Sequence, residues 1–85
     1  MKLATTNDSI VELVELIAKA LVDKPEEVAV RAVEGEKVRV LELQVDPSDL
    51  GKVIGKKGRT AKSIRALLGA AGMKVKKRYT LEIIE

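Results

Sequence analysis

The run Ile54-Gly55-Lys56-Lys57-Gly58-Arg59 concentrates the chemistry of this chain. Two glycines three apart bracket two lysines, and an arginine follows. Glycine enters backbone conformations closed to other residues and lets another molecule come close to the main chain. A helix starting at Arg59 would add free N–H groups and the positive end of its dipole. With two ammonium groups at the same spot, this is chemistry for holding phosphate. Val53 before the run and Lys62 and Ile64 after it complete the segment.

The surrounding charge pattern agrees. From Gly51 to Tyr79 there are ten Lys or Arg and no Asp or Glu. The other residues carry all 13 acids and six bases. The formal net charge of +3 thus hides +10 in one third of the chain against −7 in the rest. A fold that gathers the basic third on one side docks a polyanion.

Composition excludes several alternatives. The chain has no Cys and no His, which removes thiol nucleophiles, disulfides, thiolate or imidazole metal sites and His-based proton transfer. The 13 carboxylates form no recognisable catalytic pair. No enzyme activity, cofactor or metal is expected, and no catalytic residue is assigned. A single Tyr and no Phe or Trp leave no aromatic platform for stacking bases. The longest apolar segment, Ile10 to Val22, is broken by Glu12, Glu15 and Lys19, which argues against a signal peptide or membrane span. A cytoplasmic location is expected.

Eighty-five residues make one domain, with a core over about 8–84 and a flexible leader over 1–7. Ser9 and Glu12 have the spacing of a capping box, so the first helix is expected from about Asp8. Ile10, Leu13, Val14, Ile17 and Leu21 form its apolar stripe. Pro25 follows its end. Val28–Val33 and Val38–Val45 read as an antiparallel hairpin turning at Glu34-Gly35-Glu36. The second strand changes phase: Val38 and Val40 share one face, and Leu41, Leu43 and Val45 share the other. That predicts either a bulge or a strand apolar on both sides. Asp46 and Pro47 start a short helix interrupted by Gly51 and Gly55. A longer helix runs from Gly58 to about Ala71, with Ala61, Ile64 and Leu68 inward and Gly72 as its left-handed stop. Met73–Ile84 supplies the last strand.

The order α-β-β-α-α-β predicts an α+β fold: a three-stranded mixed sheet with three helices on one face. The last two strands are expected to be parallel, through a right-handed crossover.

Phosphate motifs can now be tested against that order. The P-loop pattern fails, because Lys56 stands where its second glycine belongs, and the dinucleotide fingerprint is absent. The G-x-x-G loop of KH domains, which clamps about four nucleotides, fits. Val53-Ile54-Gly55-Lys56-Lys57-Gly58-Arg59-Thr60-Ala61-Lys62-Ser63-Ile64-Arg65 resembles the KH core signature. The helix-strand-strand prelude resembles the type II, prokaryotic KH domain. Ile17-Ala18-Lys19-Ala20-Leu21-Val22, Val33-Glu34-Gly35-Glu36, Leu50-Gly51-Lys52-Val53-Ile54-Gly55-Lys56 and Thr80-Leu81-Glu82-Ile83 are similar to the small stand-alone bacterial KH proteins of the KhpA family. The resemblance covers about Ile10 to Ile84.

This resemblance implies single-stranded RNA binding, as an RNA chaperone or post-transcriptional regulator. It also implies a homodimer or a heterodimer with a larger KhpB/Jag-type multidomain KH protein. A KH scaffold used mainly as a protein-interaction adaptor is the alternative. Carried onto this chain, Gly55, Lys56, Lys57 and Gly58 hold the sugar-phosphate backbone, and Arg59 and Lys62 extend the contact. Val53, Ile54, Ala61 and Ile64 form an apolar floor, with Leu43 or Val45 opposite. Lys74, Lys76, Lys77 and Arg78 join them if the fold brings them to the loop. Without aromatic rings, binding is expected to be weak per domain and strongly salt-dependent. Leu67 stands off the core stripe and offers a self-association patch.

Overall fold

The computed structural model describes residues 6–85, with side chains from Ser9 onward. The leader expected over 1–7 falls largely outside these residues. Helix α1 spans Thr6–Leu21, followed by strands β1 (Ala29–Glu34) and β2 (Val38–Gln44). A 3-10 turn at Pro47–Asp49 leads into the short helix α2 (Leu50–Ile54). Another 3-10 turn at Lys56–Gly58 leads into α3 (Arg59–Val75), and β3 (Arg78–Ile83) closes the fold. The expected order and mixed sheet are present.

The sheet runs β1-β2-β3. β1 pairs antiparallel with β2, from Ala29 opposite Gln44 to Glu34 opposite Arg39, without a bulge. β2 pairs parallel with β3, from Val38 beside Arg78 to Leu43 beside Ile83. The phase change in β2 therefore reflects its place as the central strand. Leu41 and Leu43 are fully buried under the helices, while Val38 and Val40 are half-buried on the open face.

The core is aliphatic apart from Tyr79: Val14, Ala18, Leu41, Leu43, Val53, Leu68 and Leu81 are among its members. α1 buries Ile10, Val14 and Ala18, an i, i+4 row that Val22 continues just past its end and that includes the small Ala18. Leu13 and Leu21, expected in the stripe, lie at its edge and are over a third exposed. Ser9 lies inside α1 and so does not cap it.

The entry to α2 follows its sequence. The Asp46 carboxylate accepts the Ser48 backbone N–H (3.0 Å), and Pro47 supplies the first turn. At the other end α3 runs past Gly72 to Val75, and the left-handed residue is Lys76 (φ 58°). Gly72 serves packing instead: it is buried, and a Cβ there would collide with the Lys77 carbonyl. Among the described residues no helix is long and apolar enough to cross a membrane.

Candidate nucleic-acid interface

α2 ends because Gly55 leaves helical space. Its φ of 81° and ψ of 166° belong to a region essentially reserved for glycine. A Cβ at Gly55 would also stand 2.7 Å from the Thr60 backbone N. Lys57 (φ 58°) and Gly58 (φ 74°) then both take left-handed conformations. For a lysine this costs about 1–2 kcal/mol. Main-chain bonds hold the turn: Gly55 N–H donates to Gly51 O (2.8 Å) and Gly58 N–H to Gly55 O (3.0 Å). The Arg59 N–H donates to Lys56 O, and α3 begins. The loop thus needs nothing from the side chains of Lys56 and Lys57, and both are exposed.

Arg59 and Lys62, on the first turn of α3, are exposed too. Among the described residues none of Lys56, Lys57, Arg59 and Lys62 makes an ion pair. Other members of the basic block do. Lys52 sits 3.3 Å from Asp23 and 3.4 Å from Asp49. Lys77 pairs with Glu34, which also accepts the Arg39 Nε–H (2.6 Å).

Asp49 is 1% exposed. Burial pushes its carboxyl up, but the backbone N–H groups of Asp23 and Lys24 and the Lys52 ammonium override this and hold it below the usual carboxylate value. Asp23 and Asp49 in turn raise the Lys52 ammonium. Lys52 is therefore a structural cation. Lys74, in the last turn of α3, and Lys76, Lys77 and Arg78, just past its end, lie about 25 Å from the loop at 1.5 Å per helical residue. They form a second cluster rather than an extension of the loop.

Beside the loop runs an open groove of about 580 Å³ between α3 and β3. Ile54, Gly58, Ala61 and Arg65 line one side, and Leu81 and Ile83 the other. Among the described residues β3 pairs only with β2, so its outer edge faces this space. The cavity wraps that edge onto the open face, reaching Val40, Thr80 and Glu82. The Arg65 Nε–H donates a long bond (3.4 Å) to the Leu81 carbonyl and bridges the two walls.

The residues expected to act together divide into two groups. Ile54, Gly55, Lys56, Lys57, Gly58, Arg59 and Lys62 meet at the loop and the groove mouth. Val53 (0% exposed) and Ile64 (3%) belong to the core beneath it and do not line the groove. Leu43 and Val45 are likewise core residues; the opposing wall is β3. Arg65, Leu81 and Ile83 were not singled out for the site. The signal for them is topological: the strand after α3 turns back along it and becomes the sheet edge. Ile54 is half-buried, with its exposed part in the groove.

The chain that carries this geometry is similar to known proteins. The family model for the KhpA/KhpB KH domain matches residues 11–83. A protein from Clostridium perfringens named RNA-binding protein KhpA is 59% identical over 86% of this chain and 97% of its own length. The protein of the same name from Aquifex aeolicus is 55% identical over 87% of this chain and 94% of its own. Among solved structures, the fold is shared with Era from Aquifex aeolicus, at a TM-score of 0.62 and 24% identity. That match takes in 96% of this chain but only 31% of the Era chain. Its match to the family model and its close relatives place the chain in the KhpA/KhpB family of KH domains.

Proposed function

We propose that this chain binds single-stranded RNA, with the Gly55–Gly58 turn gripping the sugar-phosphate backbone and the α3/β3 groove receiving the bases. The observation that carries this is a set of four exposed cations without ion-pair partners among the described residues: Lys56 and Lys57 on a turn whose shape is fixed by its own main chain, and Arg59 and Lys62 on the first turn of α3. The names of its close relatives support it. The groove walls, Ile54, Ala61, Leu81 and Ile83, give bases an apolar surface. Val53 and Ile64 support that surface from below.

As a small binder without a catalytic constellation, the chain acts in the cytoplasm as an RNA chaperone or post-transcriptional regulator. Leu67 (53% exposed) on α3 favours a second role beside the first: pairing with another copy, or with a KhpB/Jag-type multidomain KH protein. Fluorescence anisotropy with a labelled pool of short single-stranded RNAs, at two salt concentrations, tests the primary role. Binding at low salt that weakens steeply with added salt is the expected result. No binding at low salt, with retention of a protein partner, would replace it by the adaptor.

A further inference from the structure

A second cavity, of about 320 Å³, lies at the other end of α3. Gly69, Gly72, Met73 and Lys76 line its helix side, and Lys77, Arg78 and Tyr79 its strand side. Its position along both elements continues the first groove. On α3, Arg65 lines the first cavity and Gly69, one turn on, lines the second. Lys62, Arg65, Gly69, Met73 and Lys76 follow one another at three and four residues, so they share one face of the helix. On the strand, Tyr79 in the second cavity adjoins Thr80 in the first. At the junction Gly69 has no side chain, and a Cβ there would meet nothing within 4 Å.

We infer that the two cavities form one channel for a single RNA strand, running from the Gly55–Gly58 turn to Lys76 and Arg78. This rests on the RNA-binding role proposed above and extends its footprint beyond the loop. Charge decides the occupant. Both ends are cationic, and neither Lys76 nor Arg78 makes an ion pair among the described residues, whereas Lys77 is held by Glu34. Glu82 and Glu85 face the first cavity on the strand side only. Phosphates therefore follow the α3 row, and the bases turn toward β3, where carboxylates accept from amino groups. The helix is about 25 Å long, so at the ~3.4 Å spacing of a stacked strand the channel holds about seven nucleotides.

The test compares labelled random tetramer and decamer RNAs by anisotropy across a salt series. Lys76→Glu combined with Arg78→Glu is expected to weaken decamer binding about tenfold or more and flatten its salt slope by about two. Tetramer binding should stay within twofold. Because Lys76 occupies a left-handed position, Gly69→Glu provides an independent arm: it adds a carboxylate mid-channel and improves helix propensity, so folding is retained. It too should weaken the decamer selectively. Equal losses on both lengths, or no loss on the decamer, overturn the channel while leaving the loop's role intact. Failure of the unmodified protein to bind either RNA overturns the RNA-binding role itself, and the channel with it.

Discussion

Lys52 and Lys56 stand four residues apart and carry the same charge, yet the structure uses them in opposite ways. Around Asp49, Lys52 joins Asp23, and the Asp49 carboxylate takes the Lys24 backbone N–H (3.1 Å) as well. Lys24 reaches Asp46 at 3.8 Å. Each of these five charges faces a counter-charge, and the result ties the segment after α1 to the start of α2. At the Gly55–Gly58 turn, the main chain bonds to itself and the lysines have no carboxylate among the described residues. Both lysines belong to the Gly51–Tyr79 block that contains no acid. The difference lies in whether the fold supplies an acid, and only the unmatched set is left for a ligand.

Breaking the unmatched set should have the largest effect. Lys56→Asp with Lys57→Asp would remove the two charge-assisted contacts proposed above, each worth about 1.5–3 kcal/mol, and add repulsion. Affinity for short single-stranded RNA is expected to fall at least about 100-fold at low salt, measured by anisotropy. The melting temperature should stay within a few degrees; unchanged binding would sink the assigned grip.

Next comes the turn itself. Gly55→Ala forces a side chain into a conformation reserved for glycine and against Thr60. It should cost about 2–4 kcal/mol by denaturant unfolding. Gly58→Ala, with the same sign of φ but open space at its Cβ, should cost about 1–2 kcal/mol. Equal losses would show that the crowding by Thr60 is not what singles out Gly55.

The matched corner responds to acid instead. The Asp49 carboxyl is held below its ordinary value of 3.8. Its contribution to stability is complete above that value and is lost as pH falls through the lowered one. The wild type should therefore lose melting temperature steeply below about pH 4, and Asp49→Asn should flatten that part of the curve while melting lower at neutral pH. A parallel decline in both proteins would remove Asp49 from the account.

The smallest contrast is the most discriminating. Lys52→Met should lower the melting temperature and leave the salt slope of RNA binding unchanged. Lys56→Met should do the reverse, reducing the slope by about one. Identical behaviour of the two variants would erase the distinction between the corner and the turn.

Much of this architecture was legible in the sequence, for identifiable reasons. Asp46-Pro47 marked the entry to the α2 region because both residues act locally, through a side-chain bond and a fixed φ. Gly55 and Gly58 marked the loop because the first takes a backbone reserved for glycine and the second a left-handed one that favours it. What could not be read depends on neighbours distant in sequence. Val53 and Ile54 look alike in the chain, but only the packing of α2 against α1 and α3 puts the first in the core and the second at the groove. Gly72 signals a helix stop locally, yet it is retained within α3 because the Lys77 main chain passes over it. Lys52 and Lys77 counted as free charge until the fold brought Asp23, Asp49 and Glu34 beside them. Leu13 outranks Ala18 in hydrophobicity, but the close approach of α1 to the sheet favours the smaller side chain.

The self-contained hydrogen bonding of the Gly55–Gly58 turn has one more implication. Because the two intervening side chains hold up nothing, they behave as interchangeable heads on a fixed socket. Substitution at Lys56 or at Lys57, the latter with residues tolerant of a left-handed backbone, turns a dial on grip strength without retooling the scaffold. A graded set of such proteins, alike in shape, would release their strands one after another as ionic strength climbs.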